Sequence, residues 1–191
     1  MTGFVNGCCR TIAFVLLGGM MLWVAGCSTG SHLEREYISD SPAPQRHMKV
    51  LVPPFRNLTV HPKAGVALAG ILATELRKQG VFDIEESPLL ENGDDGSVSD
   101  NPLAMARAAG ADAVLVGFVT EYGYRYGFRK QPVVGVDIRL VRTDGTVLWA
   151  VSASEAGSAY LGRDSVTEAT QRLVMRLVQK LSEQMKTEGK R

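Results

Sequence analysis

Three extended segments follow one another between Asp112 and Ser154, and they limit the fold more than any other feature of the chain. Asp112–Tyr126 (DAVLVGFVTEYGYRY) is rich in β-branched and aromatic residues, which suit a pleated sheet. Gln131–Val141 (QPVVGVDIRLV) alternates, with Val134, Val136, Ile138 and Leu140 on one face. Asp144-Gly145 is a hairpin signal, and Thr146–Ser154 (TVLWAVSAS) is the return strand. Connections this short join antiparallel neighbours, so the chain contains a meander.

The preceding segments alternate between strand and helix. Met48–Phe55 (MKVLVPPF) reads as a nearly all-apolar strand ended by Pro53 and Pro54, since proline has no ladder donor. Pro62–Gln79 reads as a helix with Val66, Ala69, Ile71, Leu72 and Leu76 on one stripe, and Gly80 stops it. Val81–Glu85 is a short strand. After the acidic loop Glu86–Asp100, Asn101-Pro102 opens a second helix, proline being favoured at the first helical position. Leu103–Ala109 continues that helix and Gly110 ends it. The last helix spans Ser165–Lys186. It opens with a capping box, Ser165-Val166-Thr167-Glu168. Its stripe is Val166, Ala169, Leu173, Leu177, Leu181 and Met185. The order β-α-β-α-β-β-β-α predicts an α+β fold, one mixed sheet flanked by helices.

The N-terminus is of another kind. Thr11–Val24 (TIAFVLLGGMMLWV) is a 14-residue apolar run behind Arg10. A bilayer span needs ~20 residues, whereas a secretory signal core needs ~7–15. Val24-Ala25-Gly26-Cys27 resembles the bacterial lipobox. Residues 1–26 are therefore expected to be a lipoprotein signal peptide, with Cys27 the site of lipid attachment. Two or more acyl chains, palmitate among them, anchor a protein stably where one does not. An aspartate after the cysteine tends to retain such proteins at the inner membrane. Ser28 stands there, which favours the periplasmic face of the outer membrane. Residues 27–46, polar and proline-bearing after the cysteine, read as a flexible tether, and the domain as 47–187.

Cleavage after Gly26 leaves 165 of the 191 residues, with 20 Lys and Arg against 20 Asp and Glu. That balance gives no basic excess to bind nucleic acid. Cys8 and Cys9 fall in the signal peptide, so Cys27 is the one thiol left. No disulfide framework and no cysteine metal site follow.

No arrangement of residues calls for catalysis. His32, His47 and His61 have no metal-like spacing and read as surface residues. Asp94-Asp95-Gly96 lacks the alternate acids and final glutamate of a calcium loop. Gly123 and Gly127 do not open a helix, so they form no phosphate cradle. Ser152 and Ser154 lie in a strand without a nucleophile elbow. The expectation is a protein that is not an enzyme and carries no cofactor or metal.

Two features exceed the needs of a core. Simple alternation puts Phe118, Tyr122, Tyr124 and Tyr126 on one strand face. They either cover the inner side of the last helix or, in the distal part 122–128, form a subunit interface. Arg125, Arg129 and Lys130 would rim that interface, as aromatics and arginine anchor many. In Ala156–Asp164 (AGSAYLGRD), Tyr160 and Leu161 stand alone among small and polar residues. They either tuck back onto the domain or make a membrane contact, tyrosine being favoured at headgroup level.

Lys49–Asn57 (KVLVPPFRN), then a helix, then Gly110–Gly117 (GADAVLVG), resembles the CsgG-like family of outer-membrane lipoproteins. Glu121–Gly127 (EYGYRYG), followed by Pro132–Val136 and Gly145–Trp149, is most similar to its PelC-type branch, the lipoproteins of Pel exopolysaccharide export. The resemblance covers about residues 48–182. It implies a sheet flanked by helices and a homo-oligomeric ring at the periplasmic face of the outer membrane. The ring's partners would be membrane lipid, an outer-membrane polysaccharide porin and periplasmic export proteins. It also implies a membrane contact between the last strand and last helix, where Tyr160 stands. Acids at 85, 86, 91, 94, 95 and 100 either line such a ring or form a plain surface loop.

Two related roles fit less well. A CsgG-type secretion channel adds barrel hairpins whose strands take ~9–11 residues each. Phe128–Gln131 and Ala156–Asp164 are too short for them. An LpoB-like activator of a peptidoglycan synthase needs a long tether. About 20 residues reach only ~25 Å on average.

Overall fold

The computed structural model describes residues 31–39, 44–45, 47–91, 101–126, 130–157 and 164–188. Cys27, the acids at 94, 95 and 100, Phe128, Arg129, Tyr160 and Leu161 lie outside them.

The strands are β1 Ser31–Ile38, β2 Lys49–Val52, β3 Arg56–Asn57, β4 Asp83–Glu86, β5 Ala113–Tyr126, β6 Lys130–Arg142 and β7 Val147–Ala156. The helices are α1 Ala64–Gln79, α2 Pro88–Glu91, α3 Pro102–Ala108 and α4 Val166–Glu188. All seven strands form one sheet in the order β1-β7-β6-β5-β2-β4, with β3 beside β5. β2 runs parallel to β4 and β5, while β5, β6, β7 and β1 are antiparallel neighbours. The mixed α+β sheet expected from the sequence is the fold observed.

Local chemistry fixes the ends of the elements. Gly80 caps α1 at φ 60°, its N–H bonded to carbonyls of the last turn. The Asn101 side chain accepts from the Ala104 N–H at the start of α3. The α4 capping box is formed: Glu168 N–H donates to Ser165 Oγ at 3.1 Å, and Ser165 N–H to Glu168 Oε2 at 2.7 Å. At the β6–β7 turn Asp144 accepts from the Thr146 N–H at 2.8 Å, which holds its carboxyl below the usual value.

α1 and α4 cover one face of the sheet. Leu68, Leu72 and Leu76 of α1 and Leu173, Leu177 and Leu181 of α4 pack with Val134, Val136, Ile138, Leu140, Trp149 and Val151 in the main core. Among the described residues, α3 covers one corner of the other face, where Ala106 meets Leu51, Ala111 and Val114. The rest of that face, around Tyr37, Phe118, Asp137 and Ser152, is an open hollow of about 610 Å³.

The structure departs from the sequence reading in two places. Ser31–Ile38, inside the expected tether, is an edge strand paired along β7 from Ser31↔Glu155 to Ile38↔Trp149. The ordered body thus begins well before His47. Glu36 is the physical reason. Its carboxylate accepts from the buried Trp149 indole N–H at 3.0 Å and from Gln184 at 3.2 Å, and it pairs with Lys180 at 2.5 Å. The second departure is in β5. A register shift between Val119 and Glu121 inserts Thr120 as an extra residue, and such a bulge reverses the alternation. Tyr122 therefore faces with Val134 and packs on the core, whereas Phe118, opposite Asp137, points to the open face. The four aromatics do not share one side.

Candidate functional site

The residues singled out for assembly, Tyr122, Tyr124, Arg125 and Tyr126, lie together at one end of the sheet. Ser31 pairs with Glu155, Glu155 with Val134, and Val134 with Tyr122. These four residues mark one level across β1, β7, β6 and β5. Beyond it β7 reaches only Ala156, opposite Val133. The β5–β6 ladder continues through Tyr124↔Pro132, Arg125↔Gln131 and Tyr126↔Lys130. Among the described residues the hairpin overhangs its neighbours, and Tyr126 is 79% exposed.

Along the overhang the tyrosines differ in burial. Tyr122 is half-buried against the core and edge-on to the His61 ring, 6.3 Å between centroids. His61 also lies over Gly123, whose φ is +149°. A Cβ there would stand 2.9 Å from His61 Cδ2 and closer still to Nε2. Tyr124 is partly exposed, and the Lys130 ammonium sits 5.7 Å from the Tyr126 ring centroid, within cation–π range. Arg125 is tied to Glu121 at 2.6 Å.

Beside the hairpin, Gly157 and Asp164 are held by hydrogen bonds. Gly157 N–H donates to the Pro132 carbonyl at 2.8 Å, and Gln131 donates to the Gly157 carbonyl at 3.0 Å. Asp164 accepts two bonds of 2.9 Å from the Arg172 guanidinium. Gly157 and Asp164 lie against each other, since a Cβ on Gly157 would come within 2.6 Å of Asp164 Oδ2. Gly157 and Asp164 thus both stand beside the hairpin.

Glu155 organises this corner, and sequence reading missed it. Only 3% exposed, it follows Trp149, Val151 and Ala153 on the inner face of β7. There it accepts from Arg172 Nε at 3.0 Å and from Arg176. Hydrogen bonding to Asp164, then to Glu155, raises the Arg172 guanidinium further above its ordinary value. The available signal was a charge at an inward strand position, matched by arginines four residues apart on α4.

The remaining candidates are placed elsewhere or engaged. Glu85 pairs with Lys49 at 3.3 Å and Glu86 with Arg77 at 2.8 Å, at the sheet's opposite edge. Ser152 Oγ donates to Asp137 on the open face. His47 is exposed at φ 63°. An open groove of about 670 Å³ runs between α1 and α4, lined by Val66, Gly70, Ile71 and Met175. Among the described residues, no group of three or more His, Cys, Asp and Glu could hold a metal ion. None of the described helices is long and apolar enough to cross a membrane.

These features define a class: an α+β domain with helices on one sheet face, an open second face and an overhanging hairpin. Among solved structures the chain is similar to a PelC dodecamer from Paraburkholderia phytofirmans. The two are 28% identical, the match covers 80% of this chain and 97% of that one, and the TM-score is 0.65. A single-substitution variant of that PelC dodecamer matches at 27% identity, over 80% and 98% of the two chains, with a TM-score of 0.63. No family model matches the chain, and no curated protein matches it significantly. The chain has a PelC-like fold.

Proposed function

We propose that this protein is a lipid-anchored, non-enzymatic accessory of exopolysaccharide export. Acylated Cys27 holds it at the periplasmic face of the outer membrane. There a homo-oligomeric ring assists a Pel-like polysaccharide toward an outer-membrane porin. The likeness to the PelC dodecamer over nearly all of that chain's length carries this reading. The lipobox-like Val24–Cys27 supports the anchor. Strand β1 supports a role close to the membrane, since it starts four residues after Cys27. That much chain spans at most ~14 Å, too little for an activator that must reach across the periplasm. Tyr160 and Leu161 remain candidates for a further membrane contact.

Detergent-extracted full-chain protein should give a native mass that is a multiple of the protomer. A strictly monomeric species at high concentration rules the ring out. In a host that depends on this protein for polysaccharide export, Cys27→Ser should abolish export while circular dichroism stays unchanged. Normal export by that variant removes the anchor from the function.

A further inference from the structure

We propose that the open hollow on the sheet face away from α1 and α4 is a sugar-binding site. It takes pyranose units that carry neutral hydroxyl and acetamido groups. Phe118 and Tyr37 are its stacking platforms, and Asp137, Ser152, Arg35 and Arg139 are its polar contacts. The proposal rests on the reading of the protein as an exopolysaccharide accessory for its choice of ligand class.

Strand register lays the site out. Phe118 pairs with Asp137, Asp137 with Ser152, and Ser152 with Arg35. These four residues make one row across β5, β6, β7 and β1. Two residues further along β6 and β1, Arg139 and Tyr37 both pair with Ala150, which sets them in the next row of the same face. All of them line the hollow of about 610 Å³. Three strand spacings put Phe118 and Tyr37 ~14 Å apart across the sheet, and one pleat repeat puts them ~7 Å apart along it. Two rings, 40% and 55% exposed, thus flank a polar floor.

The chemistry of that floor selects the ligand. A pyranose ring has C–H bonds on its faces and hydroxyls round its rim. The faces suit an aromatic ring, which brings a large apolar surface. The rim needs donors and acceptors together. Asp137 accepts from Ser152, and its carboxylate has capacity for more. Arg35 and Arg139 only donate. Both are exposed, and neither makes a hydrogen bond or ion pair among the described residues. Two guanidinium groups against one carboxylate disfavour a free ammonium, and the carboxylate at the centre disfavours a sugar acid. A neutral unit remains. The centre of a protein–protein contact is depleted in charged residues. Three ionisable side chains on this floor therefore favour a sugar over a second copy.

Saturation-transfer NMR tests the site on detergent-extracted full-chain protein. The probes are the N-acetylglucosamine trisaccharide and its deacetylated, cationic counterpart, each at about 10 mM, ample for a Kd of ~1 mM. Transfer should reach the ring C–H protons of the acetylated sugar and be weaker for the cationic one. Tyr37→Ala and Phe118→Ala should each cut it by roughly half or more, as the loss of one of two aromatic anchors, with circular dichroism unchanged. Asp144→Asn, in the β6–β7 turn, should leave it as it is. Equal transfer in the parent and both alanine variants, or stronger transfer to the cationic sugar, overturns the site. So does a lower native mass for Phe118→Ala, because a second copy then covers the hollow. No transfer to either sugar, in protein that still supports export in its host, overturns the site and leaves the export role standing. Transfer that depends on both aromatics, in a protein whose deletion leaves export intact, supports the site and removes the export role.

Discussion

Gly123 shows how one backbone position can hold the end of a hairpin in shape. Its φ of +149° lies where side chains are strained, and the His61 ring fills the space a Cβ would need. Gly123→Ala should therefore destabilise the domain by about 1–3 kcal/mol, the range for a strained backbone position. Urea denaturation reads this as a lower midpoint at unchanged slope. No change in midpoint would mean that His61 simply moves aside. At this scale the sequence was legible wherever the partner is local. The Ser165–Glu168 box, the Asn101 cap and the Gly80 stop each involve groups a few residues apart, and all three formed. Glu155 was not legible, because its partners Arg172 and Arg176 lie 17 and 21 residues away on another element. A carboxylate that looks like surface is buried only once α4 has docked.

The strands of the meander and the helices of the core announced themselves through period. Strand β1 could not. Ser-His-Leu-Glu-Arg-Glu-Tyr-Ile has no clean apolar alternation, and its conformation comes from the free edge of β7. Tertiary context overrides local preference here, as it commonly does in strands. The bulge at Thr120 escaped for a related reason: a one-residue insertion leaves no mark in composition yet moves Phe118 to the opposite face from Tyr122. Glu36 is what ties β1 to the body, and its removal is the test of that element. Glu36→Ala leaves the Trp149 indole N–H without its acceptor in a buried site, and Lys180 and Gln184 lose the same partner. A buried donor left unsatisfied costs about 1–3 kcal/mol. The variant should melt earlier, and its β7 amides facing β1 should exchange hydrogen faster than those facing β6. Uniform acceleration along both edges would show that β1 is not a separately opening unit.

The two faces of the whole molecule are unlike, and that difference bears on assembly. A ring built from one repeated contact must join two different surfaces, whereas a self-complementary patch closes at a dimer. One side of this sheet is sheathed by α1 and α4, with a groove between them that exposes Met175. Among the described residues the other is uncovered around Tyr37, Phe118 and Asp137. These surfaces differ and lie on opposite sides of one layer, so they offer two distinct patches for a head-to-tail contact. The order of elements foretold the sheathed side from the helical stripes. It gave no warning of the bare side, because simple alternation assigned Phe118 to the wrong face. If the bare face carries the contact, Phe118→Glu places a charge at its centre without entering the core. Native mass of the detergent-extracted variant should then fall toward that of the protomer while the far-ultraviolet dichroism stays the same. Met175→Glu, on the facing groove, should do likewise, and Asp144→Asn, at the turn, should leave the mass unchanged. An oligomer undisturbed by both glutamates would place the contact outside these two faces and leave the sheet edges, β1 and β4, as the surfaces through which copies meet.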